Sequence, residues 1–321
     1  MPTDTVFDIQ RADTGKSAYW ERMKAEQVFT EVLDVFGKPS KRFYEFLGII
    51  AQDPSEKAQL KHMLTKEGEA DLRVLTDETV TYADLLNRFP SCQMTTENML
   101  EFIPNIKPRL YSIASAQEQM GDTLQLCIIA DDWYSPSGVY RHGTSTAYLK
   151  GLQPDQRDTF IAGNIVAGGV HIPPHHRDPF IMVALGTGIA PLRAMLQERD
   201  VFQKRGEEVG PMALYFGVRN SSNEYTYGTD ELEPYHDGGK GLLTHLRPAF
   251  SRDQAHKVYV QDKIREDEEL LVDWFMNKNG HLYLCGPAGR VPSAVRAQLA
   301  LAFQEHAGMN ATEADEYLTA L

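Results

Sequence analysis

The chain has 321 residues, of which 42% are hydrophobic and 24% are charged, and its formal net charge is −13. The length suits about two domains, no apolar run is long enough to span a membrane, and the acidic balance argues against nucleic acid as the main partner. The three cysteines, Cys92, Cys127 and Cys285, have no metal-binding spacing and favour a reducing compartment. Because the N-terminus has no apolar signal segment, we expect a cytoplasmic protein, which leaves room for a membrane anchor outside this chain.

Residues 1–104 read as a helical region without a catalytic signal. Its first 23 residues are polar and weakly patterned. Helical periodicity, punctuated by proline and glycine, then predicts helices at 24–36, 41–51, 55–66, 82–89 and 96–102.

Residues 105–176 have a different texture, with short alternating runs separated by turns. Strands are predicted at 109–115, 123–129 and 159–170, and Ser135-Pro-Ser-Gly138 marks a turn. Several short strands of this kind indicate part of an antiparallel barrel.

Residues 177–321 alternate between β and α patterns. Strands are predicted at 180–185, 212–218, 257–261 and 281–285, and helices at 191–205, 229–235, 263–276 and 292–305. This spacing predicts a doubly wound parallel sheet, on which ligands bind at the carboxyl ends of the strands. The expected fold class is therefore α/β plus β, with a helical region, a partial antiparallel barrel and a C-terminal doubly wound domain.

A strand, a glycine turn and a helix follow one another from Phe180 to Arg193. The turn is Gly186-Thr187-Gly188, and Pro191 takes the place of a first helical residue. Such a layout directs backbone N–H groups and a helix N-terminus at an anion, typically a nucleotide phosphate. The alternative is a turn whose glycines serve tight packing alone.

Two motifs in the barrel region could also hold anions. Arg109-x-Tyr111-Ser112 offers a forked cation for a diphosphate, a ring for an isoalloxazine face and a hydroxyl for a flavin nitrogen. Its alternative is an ordinary strand with a surface ion pair. The stretch Gly143-Thr144-Ser145-Thr146 opens a helix with free N–H groups, and its alternative is a side-chain N-cap.

The stretch from Ser251 to Gln261 is rich in cations and polar donors. It contains Ser251-Arg252 and then Lys257, Tyr259 and Gln261, which would share one face of a strand. These side chains could hold the 2′-phosphate of NADP and stack on its adenine. The alternative is a solvated strand edge.

Cys285 ends a predicted strand level with the glycine turn, where a nicotinamide ring would lie, although a buried cysteine is often an inert hydrophobe. His171, His175 and His176 lie in a proline-containing stretch. They are interpreted as solvated loop residues, and no metal site is predicted.

Together these motifs are far more specific than any one of them. Pro108-Arg-Leu-Tyr-Ser-Ile-Ala-Ser115, Gly143-x-x-Thr146, Gly186-Thr-Gly-Ile-Ala-Pro191, Phe250-Ser-Arg-Asp-Gln254, Lys257-Val-Tyr-Val-Gln261 and Tyr283-Leu-Cys-Gly286 stand in one characteristic order. In this the chain resembles the ferredoxin–NADP reductase-like module of the diflavin reductases. That family includes NADPH–cytochrome P-450 reductase and the flavoprotein component of NADPH–sulfite reductase.

The resemblance implies a role for each matched residue. One set would hold FAD: Arg109, Tyr111, Ser112, Cys127, Ile129, Trp133, Gly143, Thr144, Ser145 and Thr146. A second set would hold NADPH: Gly186, Thr187, Gly188, Arg219, Ser251, Arg252, Lys257, Tyr259, Gln261 and Cys285. Ser112, near the flavin N5, and Cys285, beside the nicotinamide, would be the catalytic residues.

The implied activity is that of an NADPH-dependent flavoprotein oxidoreductase. Hydride would pass from NADPH to FAD, and electrons would leave through FMN, on a domain absent from this chain, to a haem protein such as a cytochrome P-450 or sulfite reductase. Residues 1–104 would be the helical connecting region of such an enzyme. Because the family's early barrel strands and C-terminal aromatic are not found, we expect a fragment of a larger reductase. The alternative is a flavin-free regulatory module that binds NADPH.

Overall fold

The computed structural model describes residues 4–11, 19–153, 161–169 and 172–320. The chain divides into unit 1, Met1–Leu110 with Ala130–Thr159, and unit 2, Tyr111–Ile129 with Phe160–Leu321. Within the described residues, no helix has both the length and the apolar character needed to cross a membrane. The three-part division at residues 104 and 176 remains a prediction.

Unit 1 begins with an antiparallel hairpin, formed by β1 (Val6–Arg11) and β2 (Tyr19–Lys24). Phe7 and Ile9 alternate along β1 and pack against the helical core, in which Met23 is buried. The expectation of a weakly patterned N-terminus was therefore wrong. The alternation of apolar and polar residues that is typical of a strand is present in β1, but it rests on only two apolar side chains, Phe7 and Ile9.

Short helices make up most of unit 1. They are α1 (Ala25–Gln27), α2 (Lys41–Ile50), α3 (Pro54–Met63), α4 (Glu69–Asp77), α5 (Tyr82–Arg88) and α6 (Thr96–Phe102), with a π-helical turn at Val28–Val32. Four predicted helices are confirmed as α2, α3, α5 and α6. The predicted helix 24–36 is reduced to α1 and the five-residue π-helical turn that follows it. Helix α4 was not predicted, because its N-cap is Gly68, which offers no capping side chain, and the helix buries only Leu75.

A second hairpin and helix α8 (Thr144–Gly151) complete unit 1. The hairpin pairs β3 (Asp132–Tyr134) with β4 (Tyr140–His142). Glu78 accepts hydrogen bonds from the backbone N–H and the hydroxyl of Ser137, at 3.2 and 2.6 Å. The hairpin that leads into α8 is thus fastened to the helices.

In unit 2, residues 111–129 contain helix α7 (Gln117–Met120) and a single bridge between Ile113 and Leu126. The strands predicted at 109–115 and 123–129 were therefore wrong in extent. Side chains take the place of ladder partners: Arg193 donates to the Ala114 carbonyl, and Gln197 accepts from the Ala116 N–H. Of the predicted strand 159–170, residues 161–169 form no strand, and 159, 160 and 170 lie outside the described residues.

Unit 2 is built on a parallel sheet of β5 (Phe180–Leu185), β6 (Met212–Val218), β7 (His245–Phe250) and β8 (His281–Cys285), in the order β7-β6-β5-β8. Three of the four predicted strands are confirmed. The strand predicted at 257–261 was wrong: the chain pairs at β7 instead, and a helix begins at Val260. Pro248 obscured β7, since proline is tolerated only on an edge strand.

Helices cover both faces of this sheet. They are α9 (Ile189–Lys204), α10 (Ser221–Glu224), α11 (Glu233–His236), α12 (Val260–Glu266), α13 (Glu268–Lys278), α14 (Arg290–Ala307) and α15 (Ala311–Ala320), with turns at Gly186–Gly188, Gly228–Leu232 and Asp237–Gly239. Phe180 and Met182 face a core that includes α9, and Ile181 and Val183 face α12 to α15. The sheet is therefore doubly wound. The strand order reverses beside β5, so the switch point lies between β5 and β8.

A polar network ties the sheet to the α12–α13 connection. Asp267 accepts two hydrogen bonds from the Arg247 guanidinium, each 2.9 Å, and one of 2.9 Å from the Tyr215 hydroxyl. The Asp267 side chain is only 8% exposed. Arg247 and the Tyr215 hydroxyl therefore depend on this carboxylate for partners that water cannot easily replace.

We expect Asp267→Ala to lower the free energy of unfolding by about 3–5 kcal/mol, because it leaves a charged partner without its counterion. Urea unfolding followed by circular dichroism measures the change. Asp273→Ala on α13 is the control: it removes a carboxylate whose ion pair with Lys278 is largely exposed, so stability should scarcely change. Equal losses in the two variants would contradict this account of the network.

Candidate functional site

The switch point is shaped by a close backbone approach between the turn after β5 and the end of β8. A Cβ at Gly188 would lie 2.1 Å from the Cys285 carbonyl oxygen, and Gly186 has φ +53°. Only glycine fits both requirements. Gly186 and Thr187 are exposed at the start of the helical segment that continues as α9, where N–H groups lack intrahelical acceptors and favour an anion.

Cys285 is placed as the sequence predicts, beside the glycine turn. It pairs with Ala184 of β5 and is 9% exposed, and burial raises the pKa of its thiol. The side chain is thus a neutral thiol at physiological pH. Pro191 is the third residue of α9 rather than the first, because the helix begins at Ile189.

A second cluster lies at the carboxyl ends of β6 and β7. Backbone pairing continues past the strands: Ser251 N–H donates to the Val218 carbonyl at 3.1 Å, and Arg252 N–H to the Arg219 carbonyl at 2.8 Å. Arg219, Ser251 and Arg252 are therefore neighbours, as their predicted common role requires. Within the described part of the chain, no carboxylate lies at ion-pair distance from Arg252 or Lys257.

Lys257, Tyr259 and Gln261 do not share the face of a strand, so that prediction was wrong. The Tyr259 N–H donates to the Asp262 carboxylate at 2.8 Å, which starts helix α12 at this point. The three residues instead precede or open that helix. Among the described residues, the buried Oε1 of Gln261 has no hydrogen-bond partner.

Arg193 of α9 forms a buried ion pair and also a hydrogen bond to the segment that carries Tyr111 and Ser112. Arg193, 7% exposed, pairs with Glu231 at 2.8 Å and donates to the Ala114 carbonyl. Its guanidinium also lies 4.3 Å from the centroid of the Tyr227 ring. This role of Arg193 was not predicted from the sequence. The available signal was an arginine inside an otherwise apolar stretch of helix.

The residues predicted to hold FAD fall in both units. Those of unit 2 are Tyr111, Ser112, Cys127 and Ile129, and those of unit 1 are Arg109, Trp133 and Gly143 to Thr146. Ser112 and Ile129 are exposed. Burial raises the pKa of the Cys127 thiol, which is hydrogen-bonded to Tyr227. Arg109 is exposed, and its guanidinium donates to the Lys107 carbonyl.

The start of α8 in unit 1 has the form expected of an anion site. Gly143 is its N-cap and has no side chain, so the N-cap position itself makes no side-chain cap hydrogen bond. The Gly143 N–H donates to the Asp131 carbonyl at 2.7 Å, and Thr146 Oγ1 donates to the Gly143 carbonyl at 3.2 Å. These bonds set the turn and leave the first N–H groups of α8 without a capping side chain.

The structure describes one of the histidines considered as metal ligands in an ion pair and leaves another outside the described residues. His176 pairs with Glu207 at 3.5 Å and packs on the Phe202 ring, whereas His171 lies outside the described residues. Elsewhere, Glu268, Glu305 and His306 have side-chain atoms within 4.8 Å of one another. His306 and Glu268 also form an ordinary ion pair at 3.5 Å.

A doubly wound sheet with a glycine turn at its switch point defines a nucleotide-binding α/β protein. Comparison with known families agrees. The family of the FAD binding domain matches residues 1–148, and the oxidoreductase NAD-binding domain matches residues 182–295. The prediction of an FAD-binding domain followed by a nicotinamide-nucleotide-binding domain is confirmed.

Similar proteins extend this result. The chain is 38% identical to the sulfite reductase [NADPH] flavoprotein component of Saccharomyces cerevisiae, over 84% of this chain and 26% of that protein. It is 37% identical to the mitochondrial pyruvate dehydrogenase [NADP(+)] of Euglena gracilis, over 91% of this chain and 16% of that protein. It is 32% identical to the NADPH–cytochrome P450 reductase of Cavia porcellus, over 91% and 44%. The chain therefore resembles the FAD- and NADP-binding portion of these reductases, and it spans less than half the length of each of these relatives.

The close approach at the switch point gives a direct test. We expect Gly188→Ala to destabilise the fold by about 1–3 kcal/mol, because its Cβ would overlap a backbone carbonyl that cannot move aside without parting β5 from β8. Thermal unfolding measures the loss. Gly151→Ala is the control, since a Cβ there meets nothing within 4 Å and the φ is ordinary. Similar unfolding temperatures for the two variants would show that the sheet can open at this point.

Proposed function

We propose that this chain binds FAD and NADPH and carries out the NADPH-oxidising half-reaction of a flavoprotein oxidoreductase. The observation that carries the proposal is the contact of Gly188 with the end of β8, at the switch point of the sheet. It leaves an anion-binding turn beside Cys285, as a nicotinamide nucleotide requires. The neighbouring cluster of Arg219, Ser251 and Arg252 has the charge and hydroxyl donors for a 2′-phosphate.

Each half of the nucleotide would have its own set of partners. The turn of Gly186, Thr187 and Gly188 would hold the diphosphate, and Arg252 and Lys257 would bind the 2′-phosphate. Tyr259, which is 40% exposed at the start of α12, would stack on the adenine. Cys285, as a neutral thiol, would pack beside the nicotinamide without adding a charge there.

For FAD we propose the residues that the family resemblance assigns. The start of α8 would bind the diphosphate, with Arg109 as a cation for it, and Tyr111 would cover the ring system. Ser112 would hydrogen-bond near the flavin N5. When bound, the two cofactors supply the hydride and its acceptor, and these side chains orient the reacting rings.

The larger assembly belongs to the same proposal, and the relatives' names support it. Residues 105–176 would form part of an antiparallel FAD-binding barrel, with the helical region before it and the NADP-binding domain after it. Electrons would leave through an FMN-containing flavodoxin-like domain or protein to a haem-protein acceptor. Sulfite reductase and cytochrome P450 appear in the names of two relatives and are the acceptors we propose to test first.

Reconstitution tests the flavin part of the proposal. The purified chain, incubated with FAD and passed through a desalting column, is expected to remain yellow and to reduce ferricyanide with NADPH. Heat-denatured chain with the same FAD is the control. A chain that binds NADPH but retains no FAD would instead be a flavin-free NADPH-binding regulatory module.

The phosphate pocket can be tested without flavin. We expect Arg252→Ala to weaken NADPH binding by about 1.5–3 kcal/mol, because a charged hydrogen bond to the 2′-phosphate is lost. NADH, which lacks that phosphate, should be little affected. Calorimetric titration of both nucleotides measures the difference. Arg177→Ala is the control, since Arg177 pairs with Glu208 just before β5, away from the carboxyl ends of the strands. Equal weakening of NADPH and NADH would show that Arg252 has another role.

A further inference from the structure

The proposed 2′-phosphate pocket contains an anion of its own. Glu224, at the end of the short helix α10, contacts Arg219 with both carboxylate oxygens. Oε1 lies 2.5 Å from Nη2 of the guanidinium, and Oε2 accepts the backbone N–H of Arg219 at 3.0 Å. A guanidinium and a backbone N–H at a strand end are the donors that a phosphate would use. The carboxylate therefore sits where a phosphate oxygen would bind.

The charge of Glu224 is stable under ordinary conditions. The hydrogen bond from Arg219 holds the pKa of the Glu224 carboxyl below its usual range, and the charge of Arg252 acts in the same direction. The carboxylate is therefore ionised at neutral pH. Its side chain is 23% exposed, and that of Arg219 is 53% exposed. Both groups border solvent and can separate without opening the core.

A second carboxylate lies nearby and has a different partner. Asp253 accepts the N–H of Ser221, the first residue of α10, at 3.0 and 3.3 Å. This bond links the loop after β7 to the helix that ends in Glu224. The loop that presents Arg252 is thereby held beside the Arg219–Glu224 pair.

We infer that Glu224 is a specificity-determining residue that competes with the nucleotide 2′-phosphate for Arg219. This inference rests on the proposed function. A nucleotide with the phosphate must separate Glu224 from Arg219 and place its own negative charge near the displaced carboxylate. A nucleotide without it leaves the pair undisturbed. Glu224 thus keeps the affinity for the phosphorylated nucleotide below the level that Arg219, Arg252 and Lys257 would reach alone, and returns to Arg219 when the nucleotide leaves.

A role for Glu224 in positioning Arg219 would change the affinity for the phosphate in the opposite direction. If Glu224 served only to hold Arg219 in position for the phosphate, its removal would weaken phosphate binding. A competitor gives the reverse: its removal tightens binding, a gain that general damage to the fold does not produce. The sign of the change therefore separates the two roles.

The experiment uses adenosine 2′,5′-bisphosphate and adenosine 5′-monophosphate, which differ only in the 2′-phosphate. Both are titrated by calorimetry into the full chain and into Glu224→Gln. We expect Glu224→Gln to bind the bisphosphate about threefold to tenfold more tightly, the range for one exposed charge pair, with the monophosphate unchanged. Glu208→Gln is the matched control, because it removes the same charge from an exposed pair just before β6, away from this pocket.

The results distinguish failure of this inference from failure of the proposed function. A chain that prefers the bisphosphate, loses that preference in Arg252→Ala and gains no affinity in Glu224→Gln would overturn the inference alone. Weaker bisphosphate binding in Glu224→Gln would do the same. Wild-type chain with no preference for the bisphosphate would overturn both. Glu224→Ala is the second variant, because glutamine could keep a hydrogen bond to Arg219. If neither variant binds the bisphosphate more tightly than the wild-type chain, the competition is rejected.

Discussion

The C-terminal half of this protein depends on one close contact, that of the backbone of Gly188 with the carbonyl of Cys285. Strand β5 and strand β8 can end side by side only because the turn between β5 and α9 has no side chain there. The same need recurs next to it: a Cβ at Gly217 or at Gly286 would lie 2.8 or 2.7 Å from the Leu185 side chain. The glycines at the carboxyl edge thus serve packing first. The turn that packing creates is exposed, so the packing interpretation of the motif is confirmed and the anion-binding interpretation stays a proposal.

Helix α9 extends the influence of that turn through unit 2. Five residues after Gly188, Arg193 bonds the Ala114 carbonyl, and four residues further on Gln197 accepts the N–H of Ala116. Residues 111–116 form only one β-bridge, and these two side-chain bonds hold the segment where a strand would have backbone partners. The position of Ser112, two residues before Ala114, is therefore set by the helix that starts at the glycine turn. A buried pair of this kind adds geometric definition rather than large net stability, since desolvation offsets much of its attraction.

The sequence was most informative where apolar runs and glycines coincide, as at β5, β6 and β8 with the turns that follow them. It misled where tertiary partners decide the backbone. Strand β7 contains His245, Arg247 and Pro248, and it is a strand because Arg247 has Asp267 as its counterion and an edge position tolerates the proline. Residues 257–261 alternate like a strand, yet the capping bond between Tyr259 and Asp262 makes the end of that stretch the start of a helix. Neither bond can be read from periodicity. Of the site residues, Arg219, Ser251 and Arg252 were assigned to one nucleotide without being grouped together, and the structure makes them neighbours at the ends of β6, which was predicted, and β7, which was not.

Charge pairing distinguishes structural from functional cations in this acidic chain. Arg193 and Arg247 are committed to Glu231 and Asp267, and both pairs are largely buried, so removing either partner would leave an uncompensated charge. Arg252 and Lys257 have no such carboxylate among the described residues, although the chain carries an excess of acids. Unpaired cations beside an exposed anion-binding turn keep their charge available for a ligand. Arg219 is intermediate, because its ion pair with Glu224 borders solvent: the Arg219 side chain is 53% exposed and that of Glu224 is 23% exposed. The absence of an ion pair at Arg252 and at Lys257, among the described residues, is thus what supports their proposed role in binding a phosphate.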